Sequence, residues 1–437
     1  MQVTGNSGNS DNKVNVAVIG GGAAGLLCSC LASENGAQVT LFEKNKSQKH
    51  LSSEEYFDNA YLGKKLLITG KGRCNLTNDC TSEEFISSVM SNPKFLYASY
   101  KAFPPKKVME YFESLGVELK TERGNRVFPA TDKSLDVLRA LKNRLKSVGV
   151  KVINEKICSV SKSDGGFVLV DSNDRKYEFE RVVICTGGVS YPQTGSDGDG
   201  YKFAVDFGHE IIELKPSLVP LECKEAEMCS SLSGLTLKNI CLNMVCTENG
   251  KTVFSKQGEL LFTHFGISGP LVLSASAHMR SFSADKYRAD IDLKPALDVS
   301  VIDERLVGLF SEYPNRDIVN VLGEMLPKSM CEPFCRYCGV LPNEKPNGIN
   351  KGRRRAMAES FKKFSIDISA FRPISEAVVT AGGVNVKQIN PSTMESKLAK
   401  GLYFAGEVMD VDAYTGGFNL QIAFSTAYLA AKSAASR

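Results

Sequence analysis

The sequence predicts an α/β protein in two parts: one domain assembled from both ends of the chain, and a smaller domain inserted between them. Three observations carry that expectation. An apolar run, Val14 to Ile19, breaks into Gly20-Gly21-Gly22-Ala23-Ala24-Gly25, then continues through helix-like residues to a second apolar run ending at Glu43. From about Leu214 the pattern changes to short alternating segments, and roughly 297 to 364 read as helical. Near the end, Gly401 to Val408 reads as a buried strand and Gly416-Gly417 opens a small-residue-rich helix to Ala435, so the chain returns to its first pattern.

The opening is the most specific stretch. Gly20, Gly22 and Gly25 have the Gly-x-Gly-x-x-Gly spacing. The first allows a tight turn after a strand, the second lets a pyrophosphate approach the backbone, and the third lets the helix pack closely on the sheet. Free amide N–H groups and the helix dipole then face the phosphates. Glu43 closes the next strand, where a carboxylate can accept ribose hydroxyls; acid there favours the unphosphorylated ribose of NAD or FAD over NADP. Residues 16 to 32 are apolar enough to raise a membrane span. The glycines, Ser29, Ser33 and a length short of roughly 20 residues favour a buried βαβ unit instead.

At 437 residues the chain exceeds one ordinary core, and two or three domains are expected. A net charge of +4 gives no reason to expect nucleic acid, which is read as an unlikely partner. Met1 to Lys13 is polar and reads as a disordered tail without the apolar centre of a signal peptide, so a cytoplasmic protein is expected. The 13 cysteines are an odd number, and Cys28, Cys30, Cys158, Cys185 and Cys241 fall inside apolar patterns, which points to buried thiols rather than disulfides. Cys331, Cys335 and Cys338 have the spacing of a three-thiolate iron–sulfur motif. They equally share one helix face among apolar neighbours, and no metal is expected.

After Glu43, residues 44 to 59 read as a polar surface insertion. The stretch Gly63 to Asn78 mixes an apolar run with glycines, Lys71, Arg73 and Asn75; its alternatives are an exposed basic loop or an anion site beside the dinucleotide, and the second is favoured. Helices are expected over 106–116 and 134–148. Strands are expected at 125–129, 150–153, 156–160, 167–170, 177–179 and 181–185, the last running into Thr186-Gly187-Gly188. Thr194 to Gly200 lacks the ligand alternation of a calcium loop and reads as a turn feeding the helix Tyr201 to Phe207. The expected division is a tail over 1–13, a nucleotide-binding domain over 14–212 and 380–437, and an insert over 213–379. Within the insert a β-barrel takes 213–296 and 364–379, and a helical part takes 297–363.

Taken together, Val18 to Gly25, Gly63 to Asn78, Thr263-His264-Phe265-Gly266-Ile267-Ser268-Gly269-Pro270, Thr380 to Val384 and Tyr403 through Gln421 resemble one flavoprotein family, the BaiN-like family, which includes aminoacetone oxidase and a 3-dehydro-bile-acid Δ4,6-reductase. The resemblance runs from about residue 14 to 431, departing only in a longer polar stretch around 46 to 60. It implies noncovalent FAD in a discontinuous Rossmann-like FAD-binding domain with an inserted small β-barrel plus helical domain. By the same resemblance Gly20, Gly22, Ala23, Ala24 and Gly25 would hold the pyrophosphate, Glu43 the adenosine ribose and Lys44 its edge. Lys71, Arg73, Cys74 and Asn75 would lie against the flavin half, and Ile157 would lend backbone contacts to adenine. Gly187, Gly406, Glu407, Asn419, Leu420 and Gln421 would complete the cleft.

The leading expectation is an FAD-dependent oxidoreductase that reduces an activated C=C bond, such as that of a 3-oxo-Δ4(,6) bile acid or steroid, free or as a coenzyme A thioester. Tyr191, Tyr414 and His264 are the candidate proton donors; His264, in a Gly/Ser-rich turn, reads equally as a structural hydrogen-bond donor. NAD(P)H is a possible electron donor, although no second glycine fingerprint follows a strand. An amine oxidase consuming O2 is the enzymatic rival. An RNA-associated flavoprotein, drawn from the basic run Lys351 to Lys363, and a flavin scaffold without turnover are the readings from other classes.

Overall fold

Val16, Ala17 and Val18 are fully buried because their strand, Asn15–Ile19, lies at the middle of a five-stranded parallel sheet. The strand order is Leu402–Phe404, Arg181–Ile184, Asn15–Ile19, Gln38–Phe42, Lys151–Ile153, with every neighbouring pair parallel. Such strands are apolar throughout because both faces are covered. Register decides what emerges from the sheet. Ile19 pairs with both Ile184 and Phe42, and Ile184 with Phe404, so Gly20, Glu43, Cys185 and Ala405 leave along one edge. That is the carboxyl edge, where open parallel sheets bind ligands.

The computed structural model describes residues 13–45, 62–279 and 286–437. The tail expected at 1–13 and the insertion expected at 44–59 lie outside the described residues except for Lys13, Lys44 and Asn45. The chain forms two compact units, residues 1–215 with 379–437, and residues 216–378.

In the first unit the helix Ala23–Glu34 packs along the final helix, Phe418–Ala435. Both are buried around most of their circumference, which is why neither shows a clean polar face. Small residues (Ala23, Ala24, Gly25, Ala423, Ala427, Ala430) let them approach. Two three-stranded antiparallel sheets flank this core, one of Thr77–Asn78, Arg126–Pro129 and Leu119–Glu122, the other of Ile157–Ser163, Gly166–Asp171 and Lys176–Phe179.

The second unit is built on a closed six-stranded barrel in the order Leu221–Cys223, Gly266–Ser268, Thr252–Thr263, Thr236–Cys246, Tyr287–Asp292, Phe364–Phe371. Leu242, Met244, Leu260, Phe262, Ala289, Ile291, Phe364, Ile366 and Ile368 alternate along the strands to fill it. Helices Val299–Glu312, Lys328–Tyr337 and Lys351–Lys362 belong to the same apolar core. The basic run on the last of these is held within the unit. Arg353 pairs with Glu344, Arg354 with Asp303 at 2.8 Å and Lys362 with Asp292 at 2.7 Å. Cys331 and Cys335 are buried on the Lys328–Tyr337 helix, and among the described residues no His, Cys, Asp and Glu group is arranged to hold a metal.

Two cysteines depart from the expectation of burial. Cys158 is exposed, because a bulge between Ile157 and Ser159 turns it outward, and Cys241 is only half-buried on the outer side of its barrel strand. Both apolar patterns belong to one-sided strands, where the neighbours of core residues face water. Among the described residues no helix is long and apolar enough to cross a membrane.

Candidate active site

At the sheet's carboxyl edge the glycine turn is dictated by contacts that only hydrogen tolerates. Gly20 has φ +105°, and a β-carbon on it would lie 2.6 Å from the Cys185 carbonyl oxygen; one on Gly25 would lie 1.8 Å from that of Gly20. Gly22 is different. Nothing lies within 4 Å of its would-be β-carbon, and it caps the start of the Ala23–Glu34 helix without a side-chain hydrogen bond. The helix therefore presents uncapped N–H groups to open space, the arrangement that receives an anion.

Glu43 sits behind this turn. Its carboxylate accepts from Gly21 N at 2.9 Å and from Asn45 N at 2.7 Å. Burial raises its pKa, and those two backbone donors oppose the rise. Lys44 reaches to Asp197 and Asp199, and Lys156 joins Asp199 at 3.2 Å. Burial works to raise the Asp199 pKa, but the two lysines hold it below the usual carboxylate range. Asn45 donates to Thr194 O at 3.0 Å, so the Thr194–Gly200 loop is clasped to the end of the second strand. Ile157 is buried beside this region at the start of its strand, and Gly187, at φ +73°, has Ser196 Oγ 2.9 Å from its would-be β-carbon.

The Gly63–Asn78 stretch folds as a short helix, Lys64–Ile68, followed by left-handed Gly70, Lys71 and Gly72. Successive residues of this kind turn backbone N–H groups outward. The Lys71 ammonium meets no protein partner among the described residues. Arg73 is otherwise engaged: it stacks 4.1 Å above the Phe128 ring and binds both Glu122 and Asp132. Cys74 is fully buried with φ +59°, and burial pushes its thiol up to about 12, so it is inert. With its amide turned so that both ends are satisfied, Asn75 accepts from Gly417 N at 3.0 Å and donates to Thr77 O at 3.2 Å.

Those bonds bring the last motif to the first. Asn78 donates to Gly416 O at 2.9 Å, and a β-carbon on Gly417 would strike Thr77 O at 2.3 Å. Gly417, at φ +100°, opens the Phe418–Ala435 helix with no side-chain cap, so a second uncapped helix start stands in this unit. Gly406 lies between the two helices, its would-be β-carbon 2.9 Å from that of Ala24 and 3.9 Å from that of Ala423. Leu420 is half-buried in the first turn. The side chains of Asn419 and Gln421 turn inward. Asn419 brackets Ala413 and Tyr414, while Gln421 binds Thr77, the Phe103 carbonyl and Ser425, leaving their backbones as what they offer a ligand.

Sequence reasoning missed Lys65, Ser190 and Thr380. Glu407 accepts from Lys65 Nζ at 2.7 Å, from Ser190 Oγ at 2.9 Å and from Thr380 N at 2.9 Å. A charged group held by three donors across the fold is a built feature. Two buried polar atoms in the same unit, Thr186 Oγ1 and the Tyr201 hydroxyl, have no partner among the described residues. Tyr191 has left-handed φ +51° directly before Pro192, a strained conformation for a bulky residue. Tyr191 and Tyr414 belong to this unit and His264 to the barrel unit, where it lies exposed in the turn between two strands with its ring 5.0 Å from Phe265.

An uncapped helix start over an open glycine, an acid behind the turn and a second glycine-led helix joined to the first define a Rossmann-type dinucleotide site, and these residues fit FAD. The chain matches the HI0933-like protein Rossmann domain over residues 14–433 and belongs to that family of FAD-dependent oxidoreductases. It is 28% identical over 428 residues to the 3-dehydro-bile acid Δ(4,6)-reductase of Clostridium scindens, covering 97% of this chain and 99% of the relative. It is 30% identical over 420 residues to the ribosomal RNA dihydrouridine synthase of Escherichia coli, covering 95% and 96%. Among solved structures it is similar to 3-ketosteroid Δ1-dehydrogenase from Sterolibacterium denitrificans, with TM-score 0.48, 13% identity and 95% and 98% coverage.

Proposed function

We propose that this protein reduces a C=C bond conjugated to a carbonyl, with NAD(P)H as the source of electrons. The observation that supports it most is the near full-length match to a reductase named for the Δ(4,6) unsaturation of a 3-dehydro-bile acid. When bound, FAD supplies hydride transfer at its N5. The chain's own residues do the rest. The N–H groups at Gly22 to Gly25 hold the pyrophosphate, and Glu43 takes the ribose hydroxyls on its remaining lone pairs. Lys65 holds in place Glu407, which would line the cofactor cleft. The N-terminus of the Phe418–Ala435 helix would steady negative charge on the reduced flavin. Tyr191, Tyr414 and His264 are the proposed donors of the proton that completes the saturated product.

A second reading keeps the chemistry and changes the substrate. The uracil C5=C6 bond is conjugated to the C4 carbonyl, and a relative matched over 96% of its length is named for dihydrouridine in ribosomal RNA. One experiment tests the shared reaction and its rival. Under anaerobic conditions NADH or NADPH bleaches the flavin absorbance, and a 3-oxo-Δ4 steroid, a simple enone or a uridine restores it. Bleaching by an aminoketone, with colour restored only by O2, would make the protein an amine oxidase.

A further inference from the structure

The stretch from Pro93 to Ser114 carries four exposed lysines that meet no carboxylate among the described residues. Lys94, Tyr97 and Lys101 stand at i, i+3 and i+7, and all three are exposed, while Phe95, Leu96, Ser99 and Tyr100 on the other side are buried. Past the Phe103-Pro104-Pro105 corner, Lys106 and Lys107 are exposed in the first turn of the helix Pro105–Ser114, where the dipole disfavours cations, so helix stability does not call for them. Among the described residues none of these four ammonium groups meets a carboxylate; Lys107 Nζ donates to the Ala102 carbonyl. This is the reverse of Lys351–Lys363, whose arginines are held by acids of their own unit. Tyr97, between Lys94 and Lys101 in sequence, is 56% exposed.

The stretch is also tied to the closing segment of the chain, before it and within it. Asn92 donates to the Asp410 carbonyl at 2.7 Å, and the Phe103 carbonyl accepts from Gln421 Nε2 and Ser425 Oγ, each at 2.8 Å. Phe103 stacks on Tyr428 of the closing helix, with centroids 4.8 Å apart.

We propose that this face binds single-stranded RNA, the four lysines meeting backbone phosphates and Tyr97 stacking on an unpaired base; the proposal rests on the second reading above, in which the reduced pyrimidine is part of an RNA. Point charges spaced along the chain, with an exposed aromatic ring between two of them, fit a phosphate chain with exposed bases. A membrane surface would call for apolar side chains to insert, and the exposed side of Pro93–Ala102 offers tyrosine alone.

The test is fluorescence anisotropy of a labelled uridine-rich single-stranded RNA with the FAD-loaded protein. Four phosphate contacts predict that affinity falls roughly 50-fold between about 50 and 200 mM salt. Lys94→Glu with Lys101→Glu lowers affinity and flattens that dependence. Tyr97→Ala weakens binding about tenfold and Tyr97→Phe does not, because stacking needs only the ring. Lys351→Ala with Arg355→Ala leaves binding unchanged, and the flavin spectrum is the same in every variant. Wild-type affinity in the Lys94/Lys101 variant overturns the proposal, as does capture by phosphatidylserine vesicles without RNA binding. If RNA binds through this face but its uridines stay unreduced with NADH, the face stands and the uridine reading falls. If wild type and variant reduce RNA uridines equally at limiting RNA, the reading stands and the face falls.

Discussion

A β-carbon on Gly406 would sit 2.9 Å from the β-carbon of Ala24, with Ala423 at 3.9 Å on the other side. Two helices that begin at residues far apart in sequence are thereby brought to the end of one strand, Leu402–Phe404, and their uncapped starts serve one unit. The contact is closer than two β-carbons tolerate, and Gly406 also has φ +78°.

Gly406→Ala is therefore expected to separate the helix starts. Strain and overpacking of this kind cost roughly 1–3 kcal/mol. The purified variant should show a lower flavin-to-protein absorbance ratio and an earlier urea midpoint, and adding Ala24→Gly should restore part of both. An unchanged ratio in the single variant would show that the close approach does not matter to cofactor retention.

Lys65→Met should weaken FAD binding about tenfold, because a partly buried carboxylate loses its cationic partner. The side chains of Lys65 and Glu407 are only 23% and 20% exposed, so solvent screens the pair incompletely. Lys65→Arg should keep most of the affinity. Equilibrium dialysis with free FAD checks both.

Glu43→Ala strands the Gly21 N–H, at about 1–3 kcal/mol for an unsatisfied buried donor. Glu43→Gln retains an acceptor and should fall between. Chemical denaturation of apoprotein and holoprotein separates the two roles: an effect on the apoprotein reports the turn, and an additional loss in the holoprotein reports the ribose contact.

His209 gives a pH dependence with a definite sign. Burial lowers its pKa, opposed by the Gln388 side chain, and Nε2 lies 2.7 Å from Ser396 Oγ. The unfolded chain takes up the proton near the ordinary value of about 6.5 while the folded imidazole resists it, so stability is present above that value and is lost as pH falls through the window below it. Thermal melts from pH 7 to pH 5 should show a steeper loss for wild type than for His209→Gln. Parallel curves would remove His209 from the account.

Much of the fold was legible because it is encoded locally. Val14 to Ile19, the glycine spacing and Glu43 give a strand, turn, helix and strand within one short stretch, and the short alternating segments around Ile240–Thr247 and Thr252–Phe262 announce barrel strands. The site's polar wiring was not legible. Lys65 and Glu407 are 342 positions apart, and nothing near either residue announces the other. Arg73 looked free in sequence because Glu122 and Asp132 reach it only through the antiparallel sheet beside it. Gln421 looked like a ligand contact, yet one turn into a helix its side chain faces the buried Phe103 carbonyl. The spacing of a motif shows which residues come together, whereas rotamer and register decide which way a side chain points.

The most direct measurement is the amount of FAD released when the purified protein is denatured. An equimolar release, strongly diminished by Gly22→Glu in a chain that still folds, is the predicted result. A colourless polypeptide that takes up no added FAD would contradict the account at its root.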